Sequence, residues 1–233
     1  MGRNRKTTWT DETPKQQLMQ EKILHTVNNL LREVGYQRTT LSRISELSGI
    51  SPTEIRRLYK SKDDILAGIT ERFMERAQEI LEEELQPSEI LLKKDAREML
   101  ALYQYIMPLA IALEAVEHSA MLCSIYKTMY TTPSLFEILV DRHASYAHLT
   151  FARKFTLQEC YERILLVRAS MSGYILSHEF RYLFPRDNLK KLCLTQALQI
   201  FDVPRDKIDL LLVELETQKN KMLAVSQQIF AEL

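Results

Sequence analysis

Two short amphipathic segments, Thr40–Leu47 and Pro52–Tyr59, meet at the tight turn Ser48-Gly49-Ile50, and this junction constrains the fold more than any other stretch of the chain. Gly49 can take the positive φ that a sharp reversal needs. Ser51-Pro52-Thr53-Glu54 then carries three helix-start signals at once. Ser51 caps, Pro52 suits the first helical position, and Glu54 stands where it can reach back to complete a capping box. Leu41, Ile44 and Leu47 fall on the inner face of the first segment, and Ile55 and Leu58 can bury the second. Two short helices joined by a glycine turn make a helix-turn-helix.

Helices are also expected on both sides of this pair. Thr13-Pro14-Lys15-Gln16 opens one, in which Ile23, Val27, Leu30, Leu31 and Val34 mark a single face and Gly35 ends the run. Ser61 with Asp64 opens a long helix with Ile65, Ile69, Phe73, Ala77 and Ile80 inward, which continues until Pro87. Within the second short helix, Thr53, Arg56, Arg57 and Lys60 lie at i, i+3, i+4 and i+7, on a face other than that of Ile55. Arginine can fork onto guanine or pair with phosphate, and threonine can touch base edges. Charge places the same demand on this end of the chain. Residues 1–62 hold 12 Lys+Arg against 6 Asp+Glu, a net of +6, whereas the remainder holds 19 against 25, a net of −6. A basic head on an acidic body fits a polyanionic partner; a merely solvated basic face is the alternative.

Only five glycines and seven prolines interrupt the 233 residues, so the body also reads as helical. Thr132-Pro133 and Thr156-Leu157-Gln158-Glu159 are helix starts. A long helix is expected from Leu157 to about Tyr182, another between Pro185 and Phe201, and a last one from Pro204. In that last helix Ile208, Leu215, Met222 and Ile229 recur every seven residues, a stripe that suits either a partner helix or burial within one subunit. Ala169, Ser172 and Gly173 are small enough to let helices approach closely. The candidates for a two-fold interface are therefore Ile164, Ala169, Met171, Gly173, Ile208, Leu212, Leu215 and Met222. Residues 99–151 are rich in methionine and aromatics. Met99, Tyr103, Met107, Met121, Tyr126, Met129, Tyr130, Phe136 and Tyr146 are candidates for lining an adaptable pocket, with an ordinary helical core as the alternative.

Other classes have little support. No apolar run approaches the roughly 20 residues of a membrane span, and the basic N-terminus lacks the apolar core of a signal peptide, so a soluble cytoplasmic protein is expected. Cys123, Cys160 and Cys193 are far apart and read as reduced core thiols. The histidines show no metal-ligand spacing and the glycines form no phosphate loop, so neither an enzyme nor a metal or cofactor is expected.

Gly35-Tyr36-Gln37-Arg38-Thr39-Thr40, Ile44, Leu47-Ser48-Gly49-Ile50-Ser51 and Tyr59-Lys60-Ser61-Lys62-Asp63-Asp64-Ile65-Leu66 together resemble the DNA-binding domain of TetR-family transcriptional regulators over about 55 residues. The chain departs from that pattern inside the recognition helix, where Arg56 stands for a common phosphate-contacting tyrosine and Leu58 for a common histidine. The resemblance implies an all-α chain: a basic disordered arm at 1–12, a three-helix helix-turn-helix domain at 13–62, a connecting helix at 63–86, and a larger helical ligand-binding and dimerisation domain at 87–233. It implies a homodimer that binds a near-palindromic double-stranded operator as a repressor and responds to an apolar small molecule. An activator or protein-binding coactivator is the first alternative, and an all-helical enzyme or lipid carrier the second. The DNA-facing residues it implies are Arg38, Thr39, Thr40, Arg43, Ser51, Pro52, Thr53, Arg56, Arg57, Tyr59, Lys60 and Lys62.

Overall fold

The computed structural model describes residues 13–89, 91, 95–180 and 187–231. The arm at 1–12, Tyr182 and the side chains of Phe73, Ala77 and Met121 lie outside the described residues. Eleven α-helices and no strand occur among them. They form two compact units that divide between Ile69 and Thr70.

The first unit contains α1 (Pro14–Arg38), α2 (Leu41–Ser48), α3 (Pro52–Leu58) and the start of α4 (Lys62–Glu84). The sequence signals act where they stand. Gln16 accepts from the Thr13 backbone N–H at 3.0 Å, and the helical path of α1 breaks at Gly35, at φ 72°. Ser61 Oγ accepts from Asp64 N–H at 3.1 Å at the head of α4. Ile23, Leu24, Val27 and Leu30 of α1 are buried, as are Ile44, Ile55, Ile65 and Leu66. Each such side chain contributes about 1.5–3 kcal/mol of transfer free energy. Leu47 was expected inward and is instead 60 % exposed, while Ser48 is buried. The turn explains the exchange, since Ser48 Oγ accepts from Ile50 N–H at 3.3 Å and is drawn inside by that bond.

The second unit holds the rest of α4 with α5 (Ala96–His118), α6 (Ala120–Thr131), α7 (Pro133–Phe151), α8 (Leu157–Leu176), α9 (Asp187–Gln199), α10 (Arg205–Thr217) and α11 (Lys219–Ala231). α5 runs through its centre and touches α6, α7, α8, α9, α10 and α11. By length and composition alone α5 could cross a bilayer, but 78 % of its most apolar window is buried among those neighbours, so it is a core helix. An aromatic cluster fixes one end of the core: Phe151 and Phe201 stack at 4.3 Å, and Tyr105 meets both edge-on. Tyr105 also donates to the Ala197 carbonyl at 3.0 Å, which satisfies its buried hydroxyl.

Two expected helices differ in extent. α8 ends at Leu176 and passes into a single 3₁₀ turn, Ser177–Glu179, where Ser177 Oγ donates to the Tyr174 carbonyl at 2.6 Å. The last helix is two, broken at Gln218, whose side-chain amide accepts from the Tyr103 hydroxyl at 2.8 Å and donates to Glu214 and to the Gln86 carbonyl. These tertiary bonds hold the break, and nothing local in the sequence announces it.

Candidate DNA-contacting face and effector cavity

The helix-turn-helix is built from interlocking caps. Thr40 opens α2 by accepting from Arg43 N–H at 3.3 Å. Gly49 closes it in the left-handed region, at φ 64° and ψ 17°, with its N–H on the Ser45 carbonyl. Ser45 Oγ then donates to the Ile50 carbonyl at 2.7 Å, which pins the turn. Ser51 Oγ accepts from Glu54 N–H at 3.2 Å, and Glu54 Oε2 accepts from the Ser51 N–H at 3.2 Å and from its hydroxyl at 2.7 Å. The hydrogen bonds from the Ser51 hydroxyl and backbone hold the Glu54 carboxyl below the usual carboxylate range, so the box is closed at neutral pH.

α3 is thereby oriented with Ile55 buried and Thr53, Arg56 and Arg57 exposed; Lys60, just past its end, is exposed as well. Arg38, Thr40, Arg43, Ser51 and Pro52 are exposed too, and Lys62 is half-buried. Two residues of the implied DNA-facing set are core residues instead. Thr39 is fully buried and donates to the Gly35 carbonyl at 2.9 Å, closing the break after α1. Tyr59 is buried, and a Cβ added at Gly68 of α4 would lie 3.8 Å from its ring. Neither side chain can reach a phosphate without leaving that packing.

The second unit contains a cavity of about 540 Å³ formed by α4, α5, α6, α7, α8 and α11. Of the expected pocket residues, Tyr126, Met129 and Tyr146 line it. Met99, Tyr103 and Met107 lie elsewhere in the core, buried on other faces of α5. Phe136 packs against Tyr130 at 5.7 Å, and neither lines the cavity. The walls are mostly apolar, with Pro108, Ile111 and Ala112 from α5, Leu139 from α7 and Ile229 from α11. At the rim Arg142 donates to Glu75 at 2.9 Å and Gln78 donates to the Tyr146 hydroxyl at 2.7 Å.

Two polar residues of the wall, Arg168 and His143, were not among the expected pocket residues. Arg168 of α8 is 5 % exposed and donates through Nη1 to the Tyr130 hydroxyl at 2.8 Å. His143 of α7 is 4 % exposed and stacks on Tyr105, with ring centroids 5.3 Å apart. Burial, and then the charge of Arg168, push its pKa well below the usual histidine range, so the ring is neutral at pH 7. A signal was present in register: Arg168 occupies the buried stripe of α8 with Ile164, Val167, Met171 and Ile175, where a cation is out of place.

The interface candidates divide in the same way. Ile164, Met171, Ile208, Leu215 and Met222 are buried inside the unit, so these five cannot meet a partner; the seven-residue stripe is core. Ala169 and Gly173 are exposed and Leu212 is half-buried. Leu165, Leu166, Leu192, Leu210 and Val213 also stand exposed, on α8, α9 and α10. Cys160 lies 4.0 Å from His148, but burial pushes its thiol pKa up. Among the described residues no group of three His, Cys, Asp or Glu is placed to hold a metal.

No family model and no curated protein matches the chain. Among solved structures, RolR in complex with the ligand resorcinol is similar with a TM-score of 0.57 and 15 % identity, covering 84 % of this chain and 94 % of that one. A transcriptional regulator from Rhodococcus sp. Rha1 matches at 0.46 and 17 %, over 79 % and 99 % of the two chains. The fatty acid degradation regulator FadR from Bacillus halodurans matches at 0.41 and 12 %, over 83 % and 98 %. The chain shares the fold of RolR; here it consists of an N-terminal helix-turn-helix unit and a larger all-helical body.

Proposed function

We propose that the chain is a dimeric, ligand-responsive repressor that occupies a near-palindromic DNA operator. The observation that carries this reading is the exposed cationic face of Thr53, Arg56, Arg57 and Lys60, presented by a helix whose start is fixed by a closed capping box and whose other face is buried at Ile55. A capped helix with two exposed forked cations suits the major groove, where arginine reads guanine and the remaining cations meet phosphate. The cavity supplies the effector site. That a protein of this fold, RolR, holds the small ligand resorcinol accords with such a use. Met74 and Gln78 of the cavity wall belong to α4, the helix that begins directly after α3. An effector that prefers one position of that helix shifts the operator-binding equilibrium by its differential affinity, typically 1–3 kcal/mol, and operator weakens effector binding by the same factor.

The test is a titration of the protein on the promoter of its own gene at several salt concentrations. Specific binding is expected, with log K falling against log salt by about 0.9 per neutralised phosphate. Arg56→Ala and Arg57→Ala should each cost roughly 1–3 kcal/mol and relax specificity at one position, whereas Lys15→Ala should change little. Binding that ignores salt and sequence, or arginine variants that bind like the parent protein, would overturn the assignment of α3.

A further inference from the structure

We propose that the effector is an amphipathic organic anion, whose carboxylate pairs with Arg168 and His143 while its apolar body lies against Ile111, Met129 and Leu139. This rests on the reading of the cavity as the effector site and narrows it from any apolar molecule to one with an acidic head.

A guanidinium taken out of water is costly unless a counter-charge goes with it. The other deeply buried cation of this unit obeys that rule, for Lys190 donates to the buried Glu114 at 2.5 Å. Arg168 does not. It is nineteen-twentieths buried, and among the described residues its one hydrogen bond runs to the Tyr130 hydroxyl, its Nε has no partner and no carboxylate is paired with it. Glu75, an acid of the cavity rim, is already bridged by Arg142 at 2.9 Å in an exposed pair.

His143 repeats the pattern from the facing helix. Both its ring nitrogens are buried and lack a partner. Its stacking on Tyr105 fixes the ring plane, and α7 packs along α8. A neutral imidazole offers one N–H to an acceptor. Two unsatisfied donors thus line one mostly apolar cavity. A carboxylate accepts on both oxygens at once, the fork of arginine matches it, and a charge-assisted bond in a dry site is roughly twice as strong as a neutral one. The volume of about 540 Å³ suits a small organic acid.

The experiment uses the full chain and matched pairs: octanoate with octanol, and phenylbutyrate with phenylbutanol, each titrated calorimetrically. At least one carboxylate should bind the unmodified protein about tenfold or more tightly than its alcohol. Arg168→Met should erase that preference while alcohol binding persists, and with no ligand present it should melt at or above the temperature of the unmodified protein, because an uncompensated charge has been removed. Arg168→Lys keeps the charge without the fork, so it should retain the preference at reduced affinity. Alcohols that bind as tightly as acids, a methionine variant that keeps its carboxylate affinity, a lysine variant with unchanged affinity or with no preference, or no carboxylate binding at all would each overturn the proposal. Operator binding, measured in parallel, separates the two readings. If it is intact and answers to the alcohols, only the acidic head is wrong; if specific operator binding is absent, the regulator reading itself fails.

Discussion

At the residue scale, the chain treats its cations in two opposite ways. Arg56 and Arg57 stand in water, where an unpaired guanidinium costs little, and they are free to lose that water to a polyanion. Arg168 sits inside, where the same group is a liability unless something arrives to pair with it. His143 beside it adds a pH dependence whose sign can be worked out. Burial first, and then Arg168, hold its folded pKa well below the ordinary value. Unfolded, the same ring titrates near 6.5. Below about that pH the unfolded chain therefore binds a proton that the folded chain refuses, and stability falls as pH falls, by at most about 1.4 kcal/mol per pH unit. Above it the contribution is flat. His143→Phe keeps a ring against Tyr105 and removes the proton. Tyr105 of α5, stacked on this ring, is pushed up by burial, far above that window. Thermal melts of both proteins from about pH 7.5 to 5.5 should show the variant gaining on its parent as the solution is acidified. A constant difference would mean that His143 is not a buried neutral base.

At the element scale, what could be read in the sequence was what is decided locally. The capping boxes at Ser51–Glu54 and Thr156–Glu159, the proline starts at Pro52 and Pro133, and the positive-φ Gly49 form as the sequence implies, because each depends on neighbours within four residues. The faces of short or heptad-patterned helices were not decidable in that way. A seven-residue apolar stripe looks the same whether a partner subunit or the chain's own α5 covers it, and here the chain covers it. Methionine and tyrosine marked the core as a whole and so picked Met99 and Tyr103 alongside true cavity residues. Arg168 and His143 were missed because a lone polar residue becomes conspicuous only once its surroundings are known. The turn allows a direct test of local control. A Cβ at Gly49 would meet nothing closer than Lys22 Nζ at 3.9 Å, so substitution there costs backbone strain alone. Gly49→Ala should lower the opening free energy of the α2 and α3 amides by about 1–2 kcal/mol in hydrogen exchange, and Gly49→Asn by less, since asparagine visits the left-handed region. Equal losses would point to a clash rather than to φ.

At the scale of the whole molecule, a palindromic operator needs two heads about one helical turn apart, roughly 34 Å, and one chain supplies only one. The burial of Ile208, Leu215 and Met222 moves the search for a partner surface to what remains outside. On α8, Leu165, Ala169 and Gly173 repeat every four residues along one edge with Leu166 beside them, and a Cβ added at Gly173 would meet open space. Leu192 of α9 and Leu210 and Val213 of α10 are likewise exposed, each with half or more of its surface in water. A stable two-fold contact buries about 800 Å² per partner. Leu166→Glu and Val213→Glu place charges at two of these exposed positions without touching the core. They should leave the helical content and the melting of a dilute sample intact, convert a light-scattering dimer into a monomer at micromolar concentration, and weaken operator binding in the same step. Leu215→Glu is the contrasting change: buried in the core, it should lower the melting temperature instead of dissociating a folded pair. If the two surface variants remain dimeric and bind operator normally, the two-fold axis lies on another face. If the unmodified chain is itself monomeric at that concentration, the paired-head arrangement is wrong.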